Sequence, residues 1–91
     1  MVSETVTVEN KKGIHLRLAH ELVKAASGFK SEITITKDDM EANAKSILGL
    51  AGLGAEFGSE LMITVDGVDE KDALSCIVQL FKTKFKKQVD E

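Results

Sequence analysis

Hydrophobic positions along the chain follow two rhythms, a period of two and a period near 3.6, and the switches between them mark the elements. Val2, Val6 and Val8 alternate with Ser3, Thr5 and Thr7, which predicts a strand with one buried face. Glu4 interrupts the apolar face, as an edge strand allows. "NKKG" (10–13) reads as a loop. The period then changes. Ala19, Leu22, Val23 and Ala26 form one helical stripe, while Leu16, His20, Lys24 and Ser27 fall on a different face. Gly28 follows as a helix stop. Ile33 and Ile35 alternate with Thr34 and Thr36 as a second strand, "KDD" (37–39) is a turn, and "MEAN" (40–43) is a short return strand with Met40 and Ala42 inward. "SILGLAGLG" (46–54) is a glycine-interrupted helix with Ser46 as N-cap and Gly54 as stop. Leu61, Ile63 and Val65 alternate with Met62, Thr64 and Asp66 as a fourth strand. Ala73, Leu74, Ile77, Leu80 and Phe81 mark a last helix, capped by Asp69 with Asp72 as the acidic partner of a capping box.

The predicted order is β-α-β-β-α-β-α, with no repeat and no linker. Each strand is apolar on one face only, which points to an antiparallel sheet covered on one side. The fold class is α/β (α+β), an open-faced β-sandwich with a four-stranded antiparallel sheet and three helices on one face. At 91 residues the chain makes one domain, 1–91, with one modest core.

Charge and composition narrow the function classes. The formal net charge of −3 argues against a general nucleic-acid binder. The first residues carry neither the basic nor the apolar region of a secretory signal, and no apolar run approaches the length of a membrane span. Cys76 is the single cysteine, so no internal disulfide forms. It reads as a filler of the last helix and fits a reducing cytoplasm. Lys82, Lys84, Lys86 and Lys87 cluster late in that helix, where cations suit the dipole, with no aromatic platform for RNA beside them.

Candidate chemistry concentrates in "GIHLRLAH" (13–20), which holds both histidines. His15 and His20 are badly spaced for a metal, and no second Cys assists them. No Walker A or GxGxxG loop is present, and no GxSxG elbow supplies a nucleophile. His15 is the junction between a glycine-containing loop and a helix. A helix start offers free N–H groups and a partial positive charge, which favours an anion and disfavours imidazolium. His15 is therefore expected to be neutral near pH 7, as a nucleophile requires. Arg17 could hold phosphate oxygens with its planar fork. The trio of imidazole, cation and helix N-terminus suits a transient phosphohistidine. The residues also admit a plainer reading, in which His15 and Ser46 are cap residues and Arg17 a surface charge.

"GIHLRLA" (13–19) resembles the GxHxRPA signature of the HPr family, the histidine-containing phosphocarriers of the phosphoenolpyruvate-dependent sugar phosphotransferase system. "AKSILGLAGLG" (44–54) resembles that family's regulatory-serine segment, and "GVDEKDAL" (67–74) the start of its last helix. The resemblance implies that His15 accepts a phosphoryl group on Nδ1 from phospho-enzyme I and passes it to enzyme IIA domains, with Arg17 stabilising the group. It implies that Ser46 is the serine phosphorylated by HPr kinase/phosphorylase. It further implies a docking surface of Leu16, Leu18, His20, Ile47, Leu48 and Ala51, part of which periodicity alone would bury. No cofactor and no metal are implied, and the protein is expected to be a cytoplasmic monomer. Leu18 departs from the family, which usually has proline there, and a proline at this first-turn position would preset φ without losing a hydrogen bond. The alternative function is a regulatory HPr-like binding protein acting mainly through its Ser46-phosphorylated form. A small hydrolase using His15 lacks a partner nucleophile and ranks last.

Overall fold

The side chains that fill the core come from four strands and three helices, and the register shows why they meet. The structure, a computed structural model, describes residues 1–85. The strands are β1 (Val2–Thr7), β2 (Glu32–Lys37), β3 (Met40–Asn43) and β4 (Glu60–Asp66). They form one antiparallel sheet in the order β1-β4-β2-β3. Pairing sets Val6 opposite Leu61, Ile35 opposite both Ile63 and Ala42, and Ile33 opposite Val65. All seven are buried. The intervening positions lie on the other face, where Ser3, Thr64, Thr34 and Asn43 make one polar row across the sheet.

Three helices complete the fold: α1 (Leu16–Ala26), α2 (Ile47–Gly52) and α3 (Glu70–Gln79), the last continuing into a π-helical turn, Leu80–Lys84. Leu18, Ala19, Leu22 and Ala26 of α1, Leu50 of α2, and Ala73 and Ile77 of α3 are sequestered with the sheet in a single cluster. Each fully buried Leu or Ile adds about 1.5–3 kcal/mol to folding. Phe81 and Phe85 pack edge to face, with ring centroids 5.2 Å apart, and close one end of the core.

Two sequence expectations change, for Met40 and Asp69, and one holds, for Glu4. Met40 is half exposed rather than inward, because it pairs with Lys37 at the last rung of an edge strand; Ala42, further in, is buried. Glu4 does sit on an edge strand, and its carboxylate meets the Lys82 ammonium at 3.4 Å. Asp69 occupies the N-cap position of α3 but makes no capping bond with its side chain, so the box with Asp72 is not formed. Its backbone there (φ −110°, ψ 29°) is not extended, and the carboxylate turns away from the helix. It accepts instead from the backbone N–H groups of Lys30 at 2.8 Å and Ser31 at 3.0 Å, and from the Ser31 hydroxyl. Asp69 thereby ties the start of α3 to the connection between α1 and β2. These bonds hold its carboxyl below the usual carboxylate range, the Ser31 hydroxyl contributing most.

Cys76 is half-buried and free on α3. Lys82 is exposed, while Lys86 and Lys87 of the predicted cluster lie outside the described residues. No helix among the described residues is long and apolar enough to cross a membrane.

Candidate functional site

The loop that leads to His15 is held from both ends. Buried Asn10 accepts the Lys12 backbone N–H on Oδ1 at 2.8 Å, its own carbonyl accepts the Gly13 N–H at 2.9 Å, and its Nδ2 donates to the Phe85 carbonyl at 3.3 Å. Gly13 has φ +68°, and a Cβ on it would strike the Ala55 carbonyl oxygen and lie 2.9 Å from the Glu56 Cα. Only glycine fits there. Ile14 then donates its backbone N–H to the same Ala55 carbonyl at 3.0 Å. The loop before α1 is thus clamped to the segment that follows α2.

His15 is the N-cap of α1, with extended backbone (φ −98°, ψ 179°), and its carbonyl accepts the first helical bond from Ala19 at 2.9 Å. Its side chain caps as well: Nδ1 accepts the Arg17 backbone N–H at 3.2 Å. An amide can only donate, so Nδ1 carries the lone pair, and in the neutral ring the proton sits on Nε2. Nε2 is buried without a hydrogen-bond partner among the described residues. Burial first, and then the charges of Arg17 and Lys12, push the imidazole below the ordinary histidine range. The ring is therefore neutral at pH 7, as the helix-start argument predicts, although desolvation leads. Arg17 is exposed, with its cation close enough to act on the ring.

Ser46 caps α2 as expected: its Oγ accepts the Gly49 N–H at 3.0 Å and its carbonyl accepts from Leu50 at 3.0 Å. The side chain stays half-exposed. Because α1 and α2 pack together, the two caps belong to one layer.

The expected docking residues divide. Leu16 and Leu48 are 65% and 84% exposed, and His20 and Ala51 are exposed. Ile47 is half-buried against the core. Leu18 does not belong with them: it is 1% exposed. The buried stripe of α1 starts one residue earlier than Ala19, with Leu18, Leu22 and Ala26 four apart on the sheet side. Leu18 is a core residue beneath the site rather than a surface beside it. Two features escaped the sequence reading. Lys12 contributes to the field at His15, and Phe57, 61% exposed, stands on the turn after Ala55. No group of three or more His, Cys, Asp or Glu side chains among the described residues is placed to hold a metal ion.

With this geometry in view, comparison with known proteins is informative. Residues 2–83 match the family model PTS-HPr, described as the PTS HPr component phosphorylation site. The phosphocarrier protein HPr of Treponema pallidum is 47% identical over 88 residues, covering 97% of this chain and all of the relative. A crystal structure of HPr from Thermoanaerobacter tengcongensis superposes with a TM-score of 0.89 at 39% identity, covering 93% of this chain and 96% of that one. A second structure of HPr from that organism, described as a dimer, gives 0.74 at 39% identity, covering 93% and 98%. A nearly full-length family match, a relative of nearly equal length and the same four-stranded, three-helix fold agree: the chain belongs to the HPr family, the phosphocarriers of the phosphotransferase system.

Proposed function

We propose that His15 is the phosphoryl acceptor, taking the group from phospho-enzyme I on Nδ1 and delivering it to enzyme IIA domains. The observation that carries this reading is the Nδ1 lone pair held at the first turn of α1 in a neutral ring. As the P–Nδ1 bond forms, the bond from phosphorus to the donor breaks, and Nε2 keeps its proton. The Arg17 N–H loses its acceptor at that moment and becomes available to a phosphoryl oxygen. The Arg17 guanidinium and the helix terminus stabilise the charge on the transferring group. Onward delivery reverses the step, so this chain is a carrier and not an enzyme in its own right.

Ser46 is the regulatory phosphorylation site in this reading, addressed by an HPr kinase/phosphorylase. The reaction runs in the cytoplasm, on a monomer. The regulatory alternative, output through Ser46-phosphorylated protein, is supported by one observation: the half-exposed Ser46 hydroxyl already sits at the start of α2, where added negative charge is tolerated. One experiment separates the two. The protein is mixed with enzyme I and labelled phosphoenolpyruvate, and its phosphate is tested for acid lability. Acid-labile label supports the carrier; no label leaves the regulatory reading. Light scattering at working concentration tests the monomer.

A further inference from the structure

Among the described residues, Asn10 and Ser31 are the buried polar side chains, and Ser31 is answered by Asp69. Both polar atoms of the Asn10 side chain are engaged, and its amide orientation is forced. The Lys12 N–H can meet only an acceptor, and the Phe85 carbonyl only a donor. The Gly13 N–H bonds to the Asn10 carbonyl at 2.9 Å, which closes a four-residue turn with Lys11 and Lys12 at its corners. The Lys12 N–H bonds to Oδ1 at 2.8 Å, closing a smaller ring inside that turn. One buried residue therefore shapes the turn from Asn10 to Gly13, and His15 follows two positions later.

The other end of the amide is fixed to the last helix. Phe85 donates its N–H to the Leu80 carbonyl, five residues back, at 2.8 Å, the bond of a π turn, and its buried ring packs on Phe81. Its carbonyl is thus a firm post, to which Asn10 Nδ2 donates at 3.3 Å across 75 positions of sequence. An apolar side chain would fill a buried position with no partner to find. An asparagine is satisfied there only when the turn and the last helix stand in one relation, so it specifies geometry. Two properties of His15 depend on that geometry. The chain enters α1 from this turn, with the Ile14 N–H bonded to Ala55 on the way. The turn also carries Lys12, whose exposed cation acts on the His15 ring together with Arg17.

We propose that Asn10 is a positioning residue for phosphoryl transfer at His15: Oδ1 shapes the turn that sets the ring and the Lys12 cation, and Nδ2 moors that turn to the end of the last helix. The proposal rests on the carrier reading, and it makes the end of the last helix a remote support of the acceptor.

The test compares two substitutions in the full chain. Asn10→Ala removes both side-chain bonds. Asn10→Ser keeps an oxygen able to accept from the Lys12 N–H, but is too short to reach Phe85. Both lose the mooring, so both melt below wild type. Transfer and ring chemistry separate them. With enzyme I and labelled phosphoenolpyruvate, Asn10→Ala lowers kcat at least fivefold and leaves KM for the protein within twofold. Its His15 ring, followed by NMR, titrates closer to the ordinary histidine value than the wild-type ring does. Asn10→Ser recovers most of kcat and the wild-type titration. An Asn10→Ala protein with wild-type kcat and wild-type titration overturns the proposal, whatever its melting temperature. So does an Asn10→Ser protein that falls as far as Asn10→Ala on both, because the loss then follows stability and not the turn. Hydrogen exchange in the wild type needs no variant to fold: the Lys12 amide is protected, and free exchange there overturns the proposal. A wild-type chain that takes no label overturns the carrier reading and this proposal with it; the other failures leave the carrier standing.

Discussion

The Arg17 backbone N–H points at Nδ1 of His15 from 3.2 Å, so the residue that begins α1 also has its lone pair aligned by that helix. The proposed nucleophile and the helix terminus are one local structure, spanning His15 to Ala19. Replacing His15 with Ala is expected to abolish acid-labile labelling while costing about 1 kcal/mol or less, the worth of a modest N-cap. Intact-mass analysis and urea unfolding check the two halves of the statement. Label that persists in His15→Ala places the acceptor elsewhere.

The pH dependence follows from the same ring. Its protonation is disfavoured in the folded state by burial, with Arg17 and Lys12 adding to the effect. The contribution to stability is complete above the unfolded value of about 6.5 and is lost as pH falls through the lower folded value. Phosphoryl acceptance should likewise persist below pH 6.5 and fail only as the folded ring takes a proton. An NMR titration of His15 beside the rate of labelling checks this. A ring that titrates above 6.5 contradicts it.

Leu18 tests how far the site and the core share residues. Leu18→Ala is expected to cost about 2–5 kcal/mol, because a fully buried leucine leaves a cavity. Proline there is compatible with the backbone, since the first four N–H groups of a helix lack intrahelical acceptors. It still forfeits packing, so Leu18→Pro should lose about 1–3 kcal/mol once the gain from stiffening the unfolded chain is subtracted. Denaturant unfolding decides the matter, and a Leu18→Pro protein as stable as wild type would mean the pocket collapses around the smaller ring.

Ser46 separates capping from signalling. Ser46→Ala removes the acceptor of the Gly49 N–H and should cost about 0.5–2 kcal/mol with no change in transfer rate. Ser46→Asp keeps a good cap and adds charge beside exposed Leu48, so stability should hold while transfer from enzyme I falls. Equal transfer rates in wild type and Ser46→Asp would leave Ser46 with the capping role alone.

Asp69 carries an acid-sensitive tie. Its carboxyl is held below the ordinary value of 3.8 by the Ser31 hydroxyl and the Lys30 amide. A depressed carboxylate stabilises the fold fully above that value, and the effect is lost as pH falls through the folded one. Asp69→Asn should lower the melting temperature at pH 7 and flatten its decline on acidification. Parallel melting curves for the two proteins between pH 7 and pH 2 would refute the assignment.

Much of this fold is legible in the residues because period two and period 3.6 alternate cleanly, and α2 is announced by Ser46 and Gly54. The failures are instructive. Met40 obeys alternation and is exposed nonetheless, because alternation says which face a residue takes, not whether the strand end is covered. Asp69 has the right position for a cap, but two amides and a hydroxyl from a loop 38 residues away compete for it, and no local pattern records them. The family motif alone puts Leu18 on the surface, whereas its spacing to Leu22 and Ala26 puts it on the buried stripe, where it lies. The clamp between Gly13 and Ala55 joins segments distant in the chain, and nothing short of the fold reveals it.

The half-buried His15 ring has a consequence for traffic. In the proposed carrier role Nδ1, at the start of α1, is the one reacting atom, so donor and acceptor proteins must use it in turn. They exclude each other, and no ternary relay can form. Throughput then depends on how quickly each visitor leaves, and very tight binding to either would stall the circuit. Rapid exchange and middling affinity are what a half-sunken imidazole demands of everything it meets.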